Sequence, residues 1–163
     1  MLLDIKKIFA SYDAPVVRTQ TLDLSGADFP GYTVKSPVGV RFTATLEGTA
    51  VRLAMSIRAV VQAQCARCLD DIERTYTFER VFFIREAEWA SADAELPFKE
   101  DGRLDVDELA YEEIVLEVPS VLLCSENCLG LCPVCGHRKP CACRHETSDT
   151  TDERLAILKQ LLE

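Results

Sequence analysis

The chemistry-bearing residues of this chain are its eight cysteines, which fall into four close pairs. Six lie in residues 123–145, LCSENCLGLCPVCGHRKPCACRH, where Cys124 pairs with Cys128, Cys132 with Cys135 and Cys141 with Cys143. Cys65 and Cys68, in QCARCLDD, form a further C-x-x-C far upstream. A C-x-x-C turn aims two sulfurs at one point about 2.3 Å away while backbone N–H groups face the thiolates. Four such pairs suit two four-thiolate sites, each holding one Zn²⁺. The preferred partition joins Cys65, Cys68, Cys124 and Cys128 across the fold and leaves Cys132, Cys135, Cys141 and Cys143 as a local second site. Joining Cys65/Cys68 to Cys132/Cys135, both C-x-x-C, is equally compatible with the sequence.

Other chemistries compete. A thioredoxin-type dithiol needs a βαβ setting with its first cysteine at a helix N-terminus, whereas Cys65 ends an alternating strand. An iron–sulfur cluster uses the same all-thiolate ligation and is the weaker alternative. His137 and His145, the two histidines of the chain, flank the distal knuckle and read as polar surface residues or spare ligands. No Gly-rich phosphate loop is present, because GLCPVCG belongs to the knuckle. The carboxylate pairs Asp105/Asp107 and Glu112/Glu113 are explained by helix capping and a solvated helix face. The reading is non-enzymatic, with no small-molecule substrate.

The elements that must position the cysteines follow from periodicity. Residues 1–10 read as a short strand or helical turn packing Leu2, Leu3, Ile5 and Ile8, and residues 16–24 as a strand. Residues 28–37, DFPGYTVKSP, read as a loop punctuated by Pro30, Gly31 and Pro37. Val38, Val40, Phe42, Ala44 and Leu46 then alternate with Gly39, Arg41, Thr43, Thr45 and Glu47. After a turn at Glu47-Gly48-Thr49, a return strand puts Val51, Leu53, Met55, Ile57, Ala59, Val61 and Ala63 on one face. Arg52, Ser56, Arg58, Gln62 and Gln64 take the other. A third strand over 72–84 aligns Ile72, Tyr76, Phe78, Phe82 and Ile84, so Cys65 and Cys68 sit at a hairpin tip. Residues 85–102 read as an acidic, solvated connection, within which Trp89 is either an anchor or a partner contact. Asp105 caps a helix in a capping box with Glu108. Its stripe of Val106, Leu109, Ala110 and Ile114 runs down to Pro119, and RLAILKQLLE reads as a final helix.

The fold class expected is α+β, a mainly antiparallel twisted β-sheet with a C-terminal helical and zinc-knuckle region. Residues 1–118 are read as the sheet core and following helix, and 119–163 as the cysteine-rich region and last helix, together one compact unit. With 163 residues and 28% charged side chains the chain has an ordinary globular composition. No apolar run nears the roughly 20 residues that span a bilayer, and the N-terminus, broken by Asp4, Lys6 and Lys7, reads as no signal peptide. Paired cysteines without a leader predict a cytoplasmic protein, where such pairs bind metal more often than they form disulfides.

Formal net charge is −9, and two zinc–tetrathiolate sites would take it to roughly −13. Such a body does not wrap a nucleic-acid backbone with its whole surface. It suits a basic protein partner, or RNA contact through one local patch. Arg138, Lys139 and Arg144 form the locally basic spot, which either touches RNA phosphates as small zinc knuckles do or offsets the thiolate charge.

Taken together, QCARCL after a long strand, DVDELAYEEIVLEVP, LCSENCLGLCPVCG, a C-x-C and DERLAILKQLL resemble the DUF177 (YceD-like) family. Gly130-Leu131-Cys132-Pro133 and Cys135-Gly136 carry the most specific part. Where that family commonly has a longer segment with Asn-Leu-Asn, this chain has His137-Arg138-Lys139-Pro140. The resemblance implies a role in large-subunit (23S) rRNA accumulation or ribosome assembly, with rRNA or a large-subunit ribosomal protein as partner.

Overall fold

The computed structural model describes residues 1–10, 15–88 and 95–143. By compactness the chain divides into two units, Met1–Cys128 and Leu129–Glu163.

The first unit is built on one antiparallel meander. Strands β2 (Val16–Leu22), β3 (Thr33–Glu47), β4 (Ala50–Gln64) and β5 (Asp71–Arg85) lie side by side in chain order. A second pairing joins β1 (Leu2–Leu3) to β6 (Leu104–Asp105), with α1 (Ile5–Ala10) and α2 (Val106–Glu117) completing an α+β arrangement. The period-2 pattern decides which face is buried. Val51, Leu53, Met55, Ile57, Ala59 and Val61 of β4 are all sealed from solvent, as are Val38, Val40, Phe42 and Ala44 of β3. Register keeps them together, with Phe42 opposite Met55 and Val40 opposite Ile57. A one-residue slip would turn this whole apolar set outward.

The β3 strand begins earlier than its Pro/Gly punctuation suggests. Residues 33–37, expected in a loop, already pair with β4: Thr33 faces Gln62 and Lys35 faces Val60. The register shifts between Lys35 and Gly39, where three residues of β3 lie against one of β4, Ala59. The two extra residues preserve parity, so Val34 points to the core like Val38. Phe29 and Tyr32 in the preceding segment are also buried and stack on each other at 5.3 Å.

Helix α2 covers the buried face. Asp105 accepts from the Asp107 and Glu108 N–H groups, which fixes the start, and Val118 ahead of Pro119 ends it. Val106, Leu109, Ala110 and Ile114 enter the same core as the strands, at roughly 1.5–3 kcal/mol for each large aliphatic side chain. Polar ties fix its position: the Tyr32 hydroxyl donates to the Ile114 carbonyl (3.4 Å) and the Gln20 amide to Asp107 (3.0 Å). Arg80 of β5 reaches Glu113 at 2.9 Å and Glu117 at 2.7 Å.

Part of the connection read as an acidic, solvated segment makes regular backbone pairings at its C-terminal end. Phe98 bridges Leu104, the Lys99 N–H donates to the Arg103 carbonyl, and the Gly102 N–H donates back to Lys99. Lys99 pairs with Asp105 and Glu108 at the start of α2, and Arg103 pairs with Asp101. Trp89 and the expected final helix lie outside the described residues, and no described helix is long and apolar enough to cross a membrane.

Candidate metal centres

The structure gathers the eight cysteines into two tetrads, Cys65/Cys68/Cys124/Cys128 and Cys132/Cys135/Cys141/Cys143, in each of which the sulfurs all lie within 4.8 Å of one another. Each tetrad falls inside one compact unit.

The first tetrad is assembled by the β4–β5 hairpin and the segment that follows α2. Strand β4 ends at Gln64, and the Cys65 N–H is closed by the Asp70 carbonyl (2.8 Å) while the Leu69 N–H returns to the Cys65 carbonyl (2.9 Å). That turn requires a left-handed residue after the second cysteine, and Leu69 takes it at φ 62°. The Ala66 N–H donates to the Leu122 carbonyl, Arg74 to the Leu123 carbonyl, and Arg67 to the carbonyls of Glu126 and Cys128. These bonds hold residues 122–128 against the hairpin tip. Cys65 Sγ then stands 3.8 Å from Cys128 Sγ, and Cys68 Sγ 3.6 Å from Cys124 Sγ. Four sulfurs about 2.3 Å from one tetrahedral centre would be about 3.8 Å apart, whereas a disulfide would need about 2.05 Å.

The second tetrad repeats the turn. The Cys132 N–H donates to the His137 carbonyl (2.7 Å), the Gly136 N–H to the Cys132 carbonyl (2.8 Å), and Gly136 supplies the left-handed residue at φ 72°. The Val134 and Cys135 N–H groups point at Cys132 Sγ, at 3.4 and 3.5 Å. A bridge between Leu131 and Arg138 and a bond from the Lys139 N–H to Gly130 close the loop behind it.

Each tetrad has one sulfur held as a ready thiolate. The Cys124 N–H lowers the Cys65 thiol to about 6, against burial and with help from the Arg67 and Cys68 N–H groups. The Cys135 N–H does the same for Cys132, also to about 6. The neighbours resist ionisation. At Cys68 the Asp70 N–H pulls down, but burial and the thiols of Cys65, Cys128 and Cys124 push it up to about 12. The Cys135 thiol, burial and the Cys141 thiol push Cys143 up to about 12 as well. A first thiolate is stabilised, and further ones are opposed by burial and by hydrogen bonding to the neighbouring sulfurs, which a cation at the centre would reverse. The donor set therefore fits a thiophilic, tetrahedral metal ion, with no ligand position left over in either tetrad. Bound there, such an ion would supply cross-linking of the backbone turns.

The other sequence-derived candidates are placed unevenly. Arg138 and His137 are exposed, Lys139 is half-buried, and Arg144 and His145 lie outside the described residues. Arg67 escaped the sequence reading, although a cation inside C-A-R-C is its visible sign. Leu69 escaped it too, because leucine gives no cue for a left-handed backbone.

A family model described as "Large ribosomal RNA subunit accumulation protein YceD" matches residues 53–162. The Bacillus subtilis (strain 168) protein named "Uncharacterized protein YlbN" is 30% identical over 131 residues, covering 78% of this chain and 75% of its own length. No solved structure matches the chain.

Proposed function

The chain belongs to the YceD family of large ribosomal RNA subunit accumulation proteins, and on that premise we propose that it is a non-enzymatic, zinc-stabilised factor for large-subunit (23S) rRNA accumulation or ribosome assembly in the cytoplasm. The observation that carries the reading is the extent of the family match. Residues 53–162 take in most of β4, all of β5 and α2, and both cysteine tetrads. The match thus spans the hairpin together with the segment that carries the remaining cysteines, rather than one isolated motif. Zinc is the metal of this proposal, held by Cys65, Cys68, Cys124 and Cys128 in one site and by Cys132, Cys135, Cys141 and Cys143 in the other. With sulfur in all four positions neither site offers a place for water or substrate, which favours a structural role.

The proposed partner is rRNA or a basic large-subunit ribosomal protein. A net charge of −9 favours a basic protein or an rRNA–protein intermediate over bare duplex RNA. The basic knuckle of Arg138, Lys139 and Arg144 is the sequence-derived RNA contact of this proposal. The test is made in cells: the protein is deleted, and large- and small-subunit rRNA and subunit profiles are compared. A selective fall in the large subunit is expected, and an unchanged ratio overturns the ribosomal reading.

A thiol-redox reading draws on the lowered thiols of Cys65 and Cys132. Against it, Cys65 and Cys68 sit at a hairpin tip, without the helix N-terminus that activates a thioredoxin-type pair. Thiol-reactivity measurements on metal-loaded protein separate the two, since uniformly slow cysteines fit structural zinc and one or two fast ones fit redox chemistry.

A further inference from the structure

Helices α1 and α2 both pack on one face of the four-stranded sheet. Among the described residues no helix packs on the other face, whose composition is unlike that of the molecule as a whole. Alternation places Val17 and Thr19 of β2, Arg41, Thr43 and Glu47 of β3, Arg52, Ala54, Ser56 and Arg58 of β4, and Glu73, Glu79, Val81 and Phe83 of β5 on this side. Three arginines therefore occupy the two central strands of a chain whose net charge is −9. Arg41 pairs across to Ser56 while Arg58 pairs across to Gly39, so the two are diagonal neighbours with Cα atoms about 7–8 Å apart. Gly39 has no side chain to cover Arg58. Neither Arg41 nor Arg58 has an ion-pair partner among the described residues, and Arg52 has only the distant Glu47 at 3.9 Å. Glu79 is the acid nearest the centre of the face, opposite Ser56.

Apolar surface lies beside these cations. Phe83, directly opposite Arg52, is 57% exposed, and Val81 and Val17 are 45% and 43% exposed. Between them small side chains leave a shallow hollow of about 250 Å³, lined by Ala54 and Ser56 and flanked by Arg41, Arg52, Glu79 and Val81. Two guanidinium groups without ion-pair partners among the described residues, with Arg52 and an exposed ring on the same face of the antiparallel sheet, supply both elements of single-strand recognition: cations for the phosphates and a π-face for a base. Duplex RNA is a poorer match, because its bases are already stacked and unavailable to Phe83.

We infer that the open face of the β2–β5 sheet binds single-stranded RNA, with Arg41, Arg52 and Arg58 contacting phosphates and Phe83 stacking on a base. The inference deepens the ribosomal reading by assigning an RNA surface, but its test does not depend on that reading. The full-length, zinc-loaded chain is titrated into a fluorescent 12-nucleotide oligouridylate across a salt series, followed by anisotropy. The wild type should bind with an affinity that falls linearly on a log–log salt plot. R41A/R58A should weaken binding and reduce that slope by about 1.4, at roughly 0.7 for each lost contact to a single strand. F83A should weaken binding roughly 5- to 150-fold with the salt slope unchanged. All these positions are at the surface, so unchanged circular dichroism spectra and melting curves certify the variants. Full affinity in R41A/R58A, or loss only in R138E/K139E, overturns the assignment. So does equal binding of an RNA duplex, or binding of poly-glutamate without binding of oligouridylate. These outcomes leave the rRNA ratio in deletion cells to judge the ribosomal role separately.

Discussion

Leu69 and Gly136 occupy the same position in two copies of one turn: each follows the second cysteine of a C-x-x-C, each donates its N–H to the carbonyl of the first, and φ is 62° and 72°. Only glycine enters this region freely; a side chain costs about 1–2 kcal/mol there. Leu69 is more than half exposed, so its side chain returns little burial for that cost. Leu69→Gly should therefore leave stability unchanged or raise it by up to about 1 kcal/mol. Gly136→Ala should cost about 1 kcal/mol, and since an added Cβ meets nothing within 4 Å that cost is purely of the backbone. Thermal melting of zinc-loaded variants checks both. A clear loss in Leu69→Gly would show that the leucine side chain is making a contact worth more than its strain.

Asp105 links the start of α2 to acid stability. Burial raises its carboxyl, but hydrogen bonds from Lys99 and from the Glu108 and Asp107 N–H groups outweigh burial and hold it below its ordinary value. A folded-state pKa below the unfolded one stabilises the protein at pH values above the unfolded pKa, near 3.9, and that stabilisation is lost as pH falls through the folded value. Asp105→Asn keeps a capping oxygen but has no charge to lose, so its stability should fall less steeply below about pH 4. Asp105→Ala should cost about 1 kcal/mol at neutral pH. Urea titrations between pH 3 and 7 give both numbers, and parallel acid limbs for wild type and Asp105→Asn would remove the linkage.

Legibility in the sequence follows the strength of the local signal. The faces of β3, β4 and β5 were readable because each strand alternates over many residues, and one buried face leaves the register no freedom. The cap at Asp105 was readable because capping is local. Residues 33–37 were not, because Pro37 and the flanking turn residues imitate a loop, while pairing with β4 through a parity-preserving irregularity is a long-range decision. Cysteine spacing proposed the tetrads but left their membership open. What separates the two groupings is the packing of residues 122–128 on the hairpin tip through Arg67, Arg74 and Ala66, and no spacing rule contains that.

Arg80 is the polar clamp between β5 and α2. It lies over the Phe78 ring, 5.2 Å from its centroid, and bonds Glu113 and Glu117. The two acids differ in burial: the Glu113 side chain is 10% exposed and that of Glu117 35%. Arg80→Met strands a buried carboxylate and should cost about 2–3 kcal/mol. Glu117→Gln should cost less than about 1 kcal/mol, since a half-exposed pair is largely screened. Adding Glu113→Leu to Arg80→Met should recover part of the loss. Denaturant midpoints measure all three, and equal losses in Arg80→Met and Glu117→Gln would refute the burial argument.

Metal removal should act differently on the two tetrads, because they close different lengths of chain. Cys65 and Cys128 are 63 residues apart, and their site joins the β4–β5 hairpin to the segment beyond α2. Treated as a cross-link, a loop of that length removes roughly 4 kcal/mol of chain entropy from the unfolded state. Cys132 to Cys143 spans a short local loop whose sulfurs all lie within Leu129–Glu163. Cys65→Ser/Cys68→Ser should lower the melting temperature of the sheet and broaden its transition. Cys132→Ser/Cys135→Ser should leave that transition in place and remove half of the bound metal. Metal counting by native mass spectrometry, paired with melting followed by far-ultraviolet circular dichroism, reads both effects on the same samples. Identical melting of the two double variants would mean that the tetrads support the fold equally. Wild-type protein carrying no metal, with its cysteines free or disulfide-bonded, would remove zinc from the account altogether.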